Sequence, residues 1–474
     1  LYSYLMNMDL IKTLEKYPFL ENASTVAKQM NVKLFIVGGF VRDIILNREK
    51  YEIDFLVLGD GVDYANKLAS NLKVKNISIF KTYGTAHFKF NDYDLEFVGA
   101  RKESYKRDSR KPDVKAGTFA EDINRRDFTI NTLAISLNED YGNLIDTYNG
   151  LIDIQNKLIK TPIDPLITFD DDPLRIMRGF RFASQLQFEV DSSVMEAASK
   201  LKERLKIVSQ ERITDEFFKI LKSSKPSVGL KLLYHSGVME VIFPEIARLA
   251  GVDQRKDFHH KDVFFHTCQV VDNISAVTDK VWLRFAALVH DIAKPQTKRF
   301  VDDIGWTFHG HEEIGARMMK SVFKKMKLPL NQLEYVEKLV RLHLRPIALA
   351  KEEVTDSAIR RLIVSAGEDL EDLITLCRAD ITSKNPAKVS KYLDNYEAVM
   401  AKVWEVEEKD KLRAFQSPVR GETIMEICGL EPSKKVGELK SAIEDAILDG
   451  KIGNNYEEAY AYLLQIKDEI INRK

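Results

Sequence analysis

The sequence predicts an α+β protein: a mixed α/β head over residues 31–160 followed by a chain that is helical to its end. Three observations carry this. Short apolar runs bounded by glycine and Asn-Asp turns fill the first 150 residues. Beyond about Asp170 those runs give way to long 3.6-residue periodicity, punctuated at Pro226, Pro244, Pro295, Pro346, Pro386 and Pro418. And 474 residues are too many for one core, so two to four domains are expected. The expected order is an N-terminal helix (1–30), the head (31–160), a helical neck (161–245), a helical body (246–400) and a helical tail (401–474).

Within the head, Asp9–Met30 reads as one amphipathic helix and Lys33–Val37 as a short apolar strand. Gly38-Gly39 closes that strand, and Arg42–Leu46 opens a helix. Ile53–Leu58 is a strand, Asp63–Asn71 a helix and Val74–Phe80 a strand. His87–Phe90 and Leu95–Val98 flank Asn91-Asp92, a hairpin signal. Lys106–Thr118, polar and carrying Pro112 and Gly117, reads as a loop. Val281–Lys294 reads as one apolar helix.

Hydrophobic residues make up 45% and charged residues 30%, as in soluble globular proteins. No apolar run is long enough to span a membrane, and no signal-peptide pattern opens the chain. The first residue is Leu, so a natural start near Met6 or Met8 is expected. Cys268, Cys377 and Cys428 have no pair spacing, which points to a reducing, cytoplasmic setting and away from a disulfide framework. The formal charge of −1 excludes a global field for nucleic acid. Two blocks differ: 99–126 has nine Lys/Arg against five Asp/Glu, and 199–225 has eight against four. Each is either a solvated face or a place for a phosphate backbone.

A strand ending in two glycines lets backbone N–H groups approach a ligand with no Cβ in the way, and the helix after them favours anions. Gly38, Gly39 and the forked donor Arg42 are thus candidate phosphate ligands, although a plain tight turn explains two glycines equally well. Glu52 and Asp54 stand at i and i+2 of the next strand, on one face and about 6.6–6.8 Å apart. Two such carboxylates repel unless they are solvated or hold cations. A Mg²⁺ pair is what nucleotidyl transfer uses, and Glu96, on a later strand, is the candidate third acid.

The order strand, Gly-Gly, helix, strand with spaced acids resembles the nucleotidyltransferase head of the DNA polymerase beta superfamily. Arg125-Arg126-Asp127-Phe128-Thr129-Ile130-Asn131 narrows this, because it reproduces the RRDFTxN motif of class II tRNA nucleotidyltransferases and bacterial poly(A) polymerases. Ala100–Tyr105 and Asp146–Gly150 also fit that family. The resemblance implies that Arg125, Arg126 and Asp127 contact the ribose and phosphates of an incoming nucleotide. The family has Asp-x-Asp where this chain reads Glu52-Ile53-Asp54, one methylene longer at the first ligand.

Asp171-Asp172-Pro173-Leu174-Arg175 follows, with Asp172 and Arg175 read as i and i+3 on one helix face. Such a pair is often only an intrahelical ion pair. Its chemistry also suits base selection. Cytosine and adenine each offer an amine donor beside a ring-nitrogen acceptor, matching an accepting carboxylate and a donating guanidinium. Uracil and guanine reverse the pattern, at about 1–3 kcal/mol for each group left unsatisfied. The segment resembles the family's EDxxR motif, with Asp171 in place of Glu, and the family implies nucleotide contacts for Arg178 and Arg181. Gln210–Glu216 resembles the family's ERIxxE motif, read here as a brace for the neck.

In the body, His266, His290-Asp291, His311, His343 and Asp380 follow the order H…HD…H…H…D of the HD phosphohydrolase superfamily, with Lys294 in register. Imidazoles and carboxylates from several helices can converge on one or two divalent ions, Mg²⁺ or a transition metal. His87, His235, His259, His260 and His309 read as peripheral. Ser417–Leu464 resembles the C-terminal segment of HD-bearing CCA-adding enzymes.

The resemblance implies addition of C, C and A to the 3′ end of tRNA from CTP and ATP with Mg²⁺, with a possible HD phosphohydrolase activity. The alternatives are an A-adding, CC-adding or poly(A) sibling, an HD hydrolase governed by a degenerate nucleotide-binding head, and a non-catalytic RNA-binding protein.

Overall fold

The computed structural model describes residues 10–80, 84–106, 109–252, 262–302, 305–349, 355–383, 385–410 and 417–472. It divides into two compact units, Leu1–Ala247 and Arg248–Lys474.

The first unit is built on a seven-stranded sheet in the order β3-β4-β5-β2-β1-β8-β9. The strands are β1 (Lys33–Val37), β2 (Glu52–Leu58), β3 (Ser78–Phe80), β4 (Thr85–Phe90), β5 (Tyr93–Gly99), β8 (Ala134–Ser136) and β9 (Leu144–Ile145). Every neighbouring pair is antiparallel except β2–β5, which is parallel and sets Asp54 opposite Glu96. Strand alternation then sends Ile53, Phe55, Leu95 and Phe97 to the other face, where all four are buried and Phe55 stacks on Phe97 at 4.7 Å. One face of this pair is therefore core and the other carries acid.

Three expectations change here. Asp9–Met30 is not one helix: the chain turns at Tyr17-Pro18 and α1 spans Phe19–Gln29. Pro18 has no N–H for the Leu14 carbonyl, which accepts from Tyr17 N instead, at 2.9 Å. The strand expected over Val74–Phe80 shrinks to β3 because Val74 N is used on the Ala69 carbonyl, closing the helix α3 (Gly61–Asn71). Residues 109–116, expected as loop, form β7 (Ser109–Ala116), antiparallel to β6 (Arg101–Lys106) with an irregularity between Ser104 and Lys106. In a two-stranded ribbon Pro112 costs no central ladder bond. Positions 107 and 108 lie outside the described residues.

Between β1 and β2 lies α2 (Gly39–Ile45), and α4 (Phe119–Asn124) precedes the RRD segment, held by a Thr118/Glu121 capping box. The neck contributes α5 (Pro165–Asp171), α6 (Leu174–Leu186) and α7 (Gln210–Leu221). Gly179 lets α6 lie flush on the segment after the RRD: a Cβ there would stand 2.8 Å from the Phe128 ring. That close approach brings Arg175 and Arg178 of α6 within hydrogen-bond reach of the RRD segment.

Among its described residues the second unit is helical apart from a short hairpin, Arg299–Val301 with Gly305–Thr307, that the periodicity did not reveal. Its principal helices are α8 (Val263–Ser275), α9 (Val281–Val289), α10 (His311–Met326), α11 (Leu333–Leu342) and α12 (Leu370–Ala379). The helix expected to run to Lys294 ends at Val289, leaving His290-Asp291 in the turn that follows. Pro295 has no N–H for the Asp291 carbonyl, so one unbroken helix through it would lose that bond. Helix Pro386–Asp410 runs across position 400, and the last three helices enclose their own core of Val419, Ile424, Leu439, Ile443, Ala459 and Leu463. No described helix is long and apolar enough to cross a membrane.

Candidate nucleotide site and metal centre

The parallel pairing of β2 and β5 puts Asp54 on the wall of two clefts. The larger, about 760 Å³, is also lined by Gly38, Gly39, Arg42, Glu52, Arg126, Asp127, Arg178 and Arg181. The smaller, about 160 Å³, joins Asp54 to Glu96, Arg125 and Arg126. Burial raises the Asp54 carboxyl above its usual range even though Arg126 and Lys50 pull it down. Burial also raises Glu96, and the neighbouring Asp54 adds to the effect. Two carboxyls that are costly to ionise side by side suit a divalent cation, so the residues present fit a metal. Glu52 differs: its side chain is 73% exposed and its Oε2 lies 3.5 Å from Lys50 Nζ.

Gly38 takes φ 78°, the region glycine favours, and its N–H bonds the Leu133 carbonyl at 3.1 Å. A Cβ there would stand 3.1 Å from Arg126 Nη1 and 3.6 Å from Asp54 Oδ2, so the missing side chain keeps the guanidinium beside the acid.

The arginines are held by buried acceptors. Arg42 closes its fork on Asp43, at 2.9 Å from Nε and from Nη2, and gives Nη1 to Asn131 Oδ1 at 2.7 Å. Asn131 Nδ2 in turn donates to Asp127 Oδ1, and Arg178 Nε donates to Asp127 Oδ2 at 2.7 Å. Burial would raise the Asp127 carboxyl, but Arg178 and Asn131 outweigh it and hold it well below the usual carboxylate range. Arg125 and Arg126 both donate to the fully buried Asp122. Arg181 donates to Glu216 Oε1, as expected of a neck brace. Arg42, Arg178 and Arg181 all lie over the Phe182 ring, at 5.0, 5.4 and 4.3 Å.

Asp172 and Arg175 are not partners on one helix. Asp172 is extended (φ −138°, ψ 99°) in the joint between α5 and α6, and its Oδ1 accepts from Leu174 N at 3.1 Å. Pro173 disfavours the helical conformation for the residue before it, which moves Asp172 out of register. Arg175 is buried and donates to the Arg125 carbonyl at 2.7 Å. That bond ties α6 to the RRD segment.

The sequence reading missed Asp43, Lys50, Asp122, Asn131 and Phe182 as site residues. Asp122 had a signal, standing three and four residues before Arg125 and Arg126, and Asn131 closed the quoted motif. Lys50 and Phe182 had none.

In the second unit all six expected ligands come together. His266, His290 and Asp380 form one group and Asp291, His311 and His343 another. Asp291 links them: its Oδ2 is 3.2 Å from His290 Nε2 and its Oδ1 is 3.2 Å from His311 Nε2. His266 Nε2 is 2.9 Å from Asp380 Oδ1. In each histidine the other nitrogen faces an oxygen: Ala287 O for His290, Phe308 O for His311, Val340 O for His343 and Thr382 Oγ1 for His266. This fixes every ring so that Nε2 points inward, as second-shell contacts do for metal ligands. His290 Nε2 is buried without a hydrogen bond of good geometry, another sign that the residues fit a cation. Burial would lower the His290 imidazole, but Asp291 and Asp380 push it up to about 10. Lys294 Nζ sits 2.5 Å from Asp291 Oδ2. Of the peripheral histidines, His87 pairs with Asp94 at 3.0 Å, while His259 and His260 lie outside the described residues.

Comparison with known proteins agrees with this layout. Residues 34–160 match the Poly A polymerase head domain, 187–249 the probable RNA and SrmB-binding site of polymerase A, and 263–385 the HD domain. The chain is 30% identical over 339 residues to the multifunctional CCA protein of Psychromonas ingrahamii, covering 69% of this chain and 78% of that protein. It is 31% identical over 306 residues to the A-adding tRNA nucleotidyltransferase of Aquifex aeolicus, covering 64% of this chain but only 35% of that longer protein. A crystal structure of a tRNA nucleotidyltransferase complexed with a primer tRNA and an incoming ATP analog aligns over 80% of this chain and 99% of its own, at 26% identity and a TM-score of 0.57. With its head, RNA-binding and HD segments in that order, the chain belongs to the tRNA nucleotidyltransferase and poly(A) polymerase family of enzymes.

Proposed function

We propose that the chain adds C, C and A to the 3′ end of tRNA from CTP and ATP. The observation that carries this is the convergence of Asp54, Arg126, Asp127, Arg178 and Arg181 on one cleft, with Glu96 directly beside Asp54. Glu52, Asp54 and Glu96 would hold Mg²⁺. Bound there, the cation would ease deprotonation of the attacking 3′-hydroxyl and offset charge at the α-phosphorus. Arg126, Arg178 and Arg181 orient the triphosphate from positions fixed by Asp122, Asp127 and Glu216, while Gly38 and Gly39 leave room for it. Asp172 and Arg175 would read the base edge. Asp172 already accepts from Leu174 N and Arg175 already donates to the Arg125 carbonyl, and a carboxylate with several lone pairs and a guanidinium with five N–H groups can serve the base as well. The basic stretch 199–225 would hold the acceptor arm, and the helices after residue 400 the rest of the tRNA. In this reading the head is 31–160, the neck 161–245, the HD body 246–400 and the tail 401–474. Three free cysteines support a reducing, cytoplasmic setting.

The test is end extension of tRNA lacking CCA, with CTP alone, ATP alone and both. Two C residues from CTP and a final A only with ATP are expected. The A-adding alternative has specific support in the likeness to the Aquifex aeolicus enzyme, and incorporation of A without C would overturn the CCA reading in favour of an A-adding or poly(A) sibling.

For the HD centre we propose metal-dependent hydrolysis of a phosphate ester. Asp291 bridges the two ligand groups, and Lys294 stands where it can meet a phosphate oxygen. His311→Ala is expected to lower bound divalent metal, read by elemental analysis. Release of p-nitrophenol from bis-p-nitrophenyl phosphate should fall with it. Losing a ligand should cost at least the roughly 10–100-fold typical of a lost second-shell partner. Full metal content in the variant would count against the centre.

A further inference from the structure

We infer that Lys50 is an exchangeable counter-ion of the acidic edge: it neutralises Glu52 in the free enzyme, and it leaves Glu52 to a divalent cation or turns from it to the phosphates of the incoming nucleotide. This rests on the nucleotidyl-transfer reading of the head. Among the other cations near Asp54, Arg42 is held by Asp43 and Arg178 by Asp127, while Arg126, which stands beside Asp54, is fixed in place by the buried Asp122. Lys50 differs because its nearest partner is itself a candidate metal ligand. Its Nζ lies 3.5 Å from Glu52 Oε2 and 4.0 Å from Asp43 Oδ2, and Asp43 is already shared with Arg42. It also acts on Asp54 through the field.

Its position joins the two roles. Nζ rests against the wall of the larger cleft, where a Cβ on Gly39 would lie 2.8 Å away. The ammonium therefore stands between the carboxylates and the space proposed for the triphosphate. A lysine suits the exchange better than an arginine, being a compact charge on a flexible stem. The Lys50–Glu52 pair is partly solvated, with side chains 27% and 73% exposed, so it is weak enough for a divalent ion to displace. The longer Glu at position 52 also gains a reason: its extra methylene carries the carboxylate toward Lys50.

Lys50 should thus oppose metal binding to the free enzyme and favour nucleotide binding. Two measurements on the full chain test this. One is Mn²⁺ binding followed by electron paramagnetic resonance, with the head site defined as the class lost in Asp54→Asn. The other is ATP binding by equilibrium dialysis in EDTA. Lys50→Met should tighten the head Mn²⁺ class roughly two- to five-fold and weaken metal-free ATP by a similar factor. Lys50→Arg should keep the ATP affinity. If Lys50→Met fails to fold, Lys50→Gln carries the same two readouts. Head Mn²⁺ affinity or metal-free ATP affinity left unmoved overturns the inference while sparing the reading of the head. No Mn²⁺ class sensitive to Asp54→Asn would overturn both.

Discussion

Asp54→Asn is expected to stop nucleotide addition, lowering single-turnover extension on the order of 10³-fold or more. Asp54 is the candidate ligand that lines both clefts, and burial already makes its charge costly without a cation. The amide keeps the shape and one oxygen but removes the charge that would hold the ion. Glu52→Gln should cost less, because that side chain is largely solvated and tied to Lys50. Equal losses at the two positions would mean that Glu52 moves inward to share the metal equally. Extension by Asp54→Asn within tenfold of the parent would remove Asp54 from the chemistry.

Asp127→Ala is expected to be the most destabilising single change in the head. Asp127 accepts from Phe128 N, Asn131 and Arg178, so its loss strands three donors, two in its own segment and one on α6. Removing one member of a buried pair costs about 3–5 kcal/mol, but Arg178 is 36% exposed and water can reclaim part of its charge. About 2–3 kcal/mol is the discounted expectation, a melting temperature lower by roughly 4–12 °C. The acid side of the stability profile should change as well. The folded carboxyl titrates below its unfolded value near 3.9, so its contribution is complete above that pH and fades as pH falls further. Asp127→Asn should lower stability throughout the neutral range and flatten the pH dependence in that strongly acid window. An unchanged acid limb would show that the pair does not set it.

What could be read beforehand followed physical locality. β1 and the β4–β5 hairpin were legible because alternation and turn residues are local signals. The six HD residues were legible as a set because their order along the chain survives folding, although the helix carrying His290 was drawn too long across the approach to Pro295. The Asp172–Arg175 pairing was misjudged because helical spacing was extended through Pro173, where the backbone leaves the helix. The acceptors that fix the arginines were harder still. Asp43 beside Arg42, or Glu216 thirty-five residues from Arg181, means little until both are buried together. Phe182 offered no cue, since one aromatic in an amphipathic helix looks like core until three guanidiniums are found around its ring.

The parallel register of β2 and β5 carries an evolutionary corollary. Glu52 and Asp54 of β2 and Glu96 of β5 lie on the same face, and the intervening Ile53, Phe55, Leu95 and Phe97 fill the opposite face. Inserting or deleting a single residue within either strand would exchange the faces, burying carboxylates and exposing phenylalanines together. The fold of this head therefore tolerates exchange of one acid for another at a single position, as Glu52 illustrates. Length changes should be confined to the connections, such as the hairpin after Gly99.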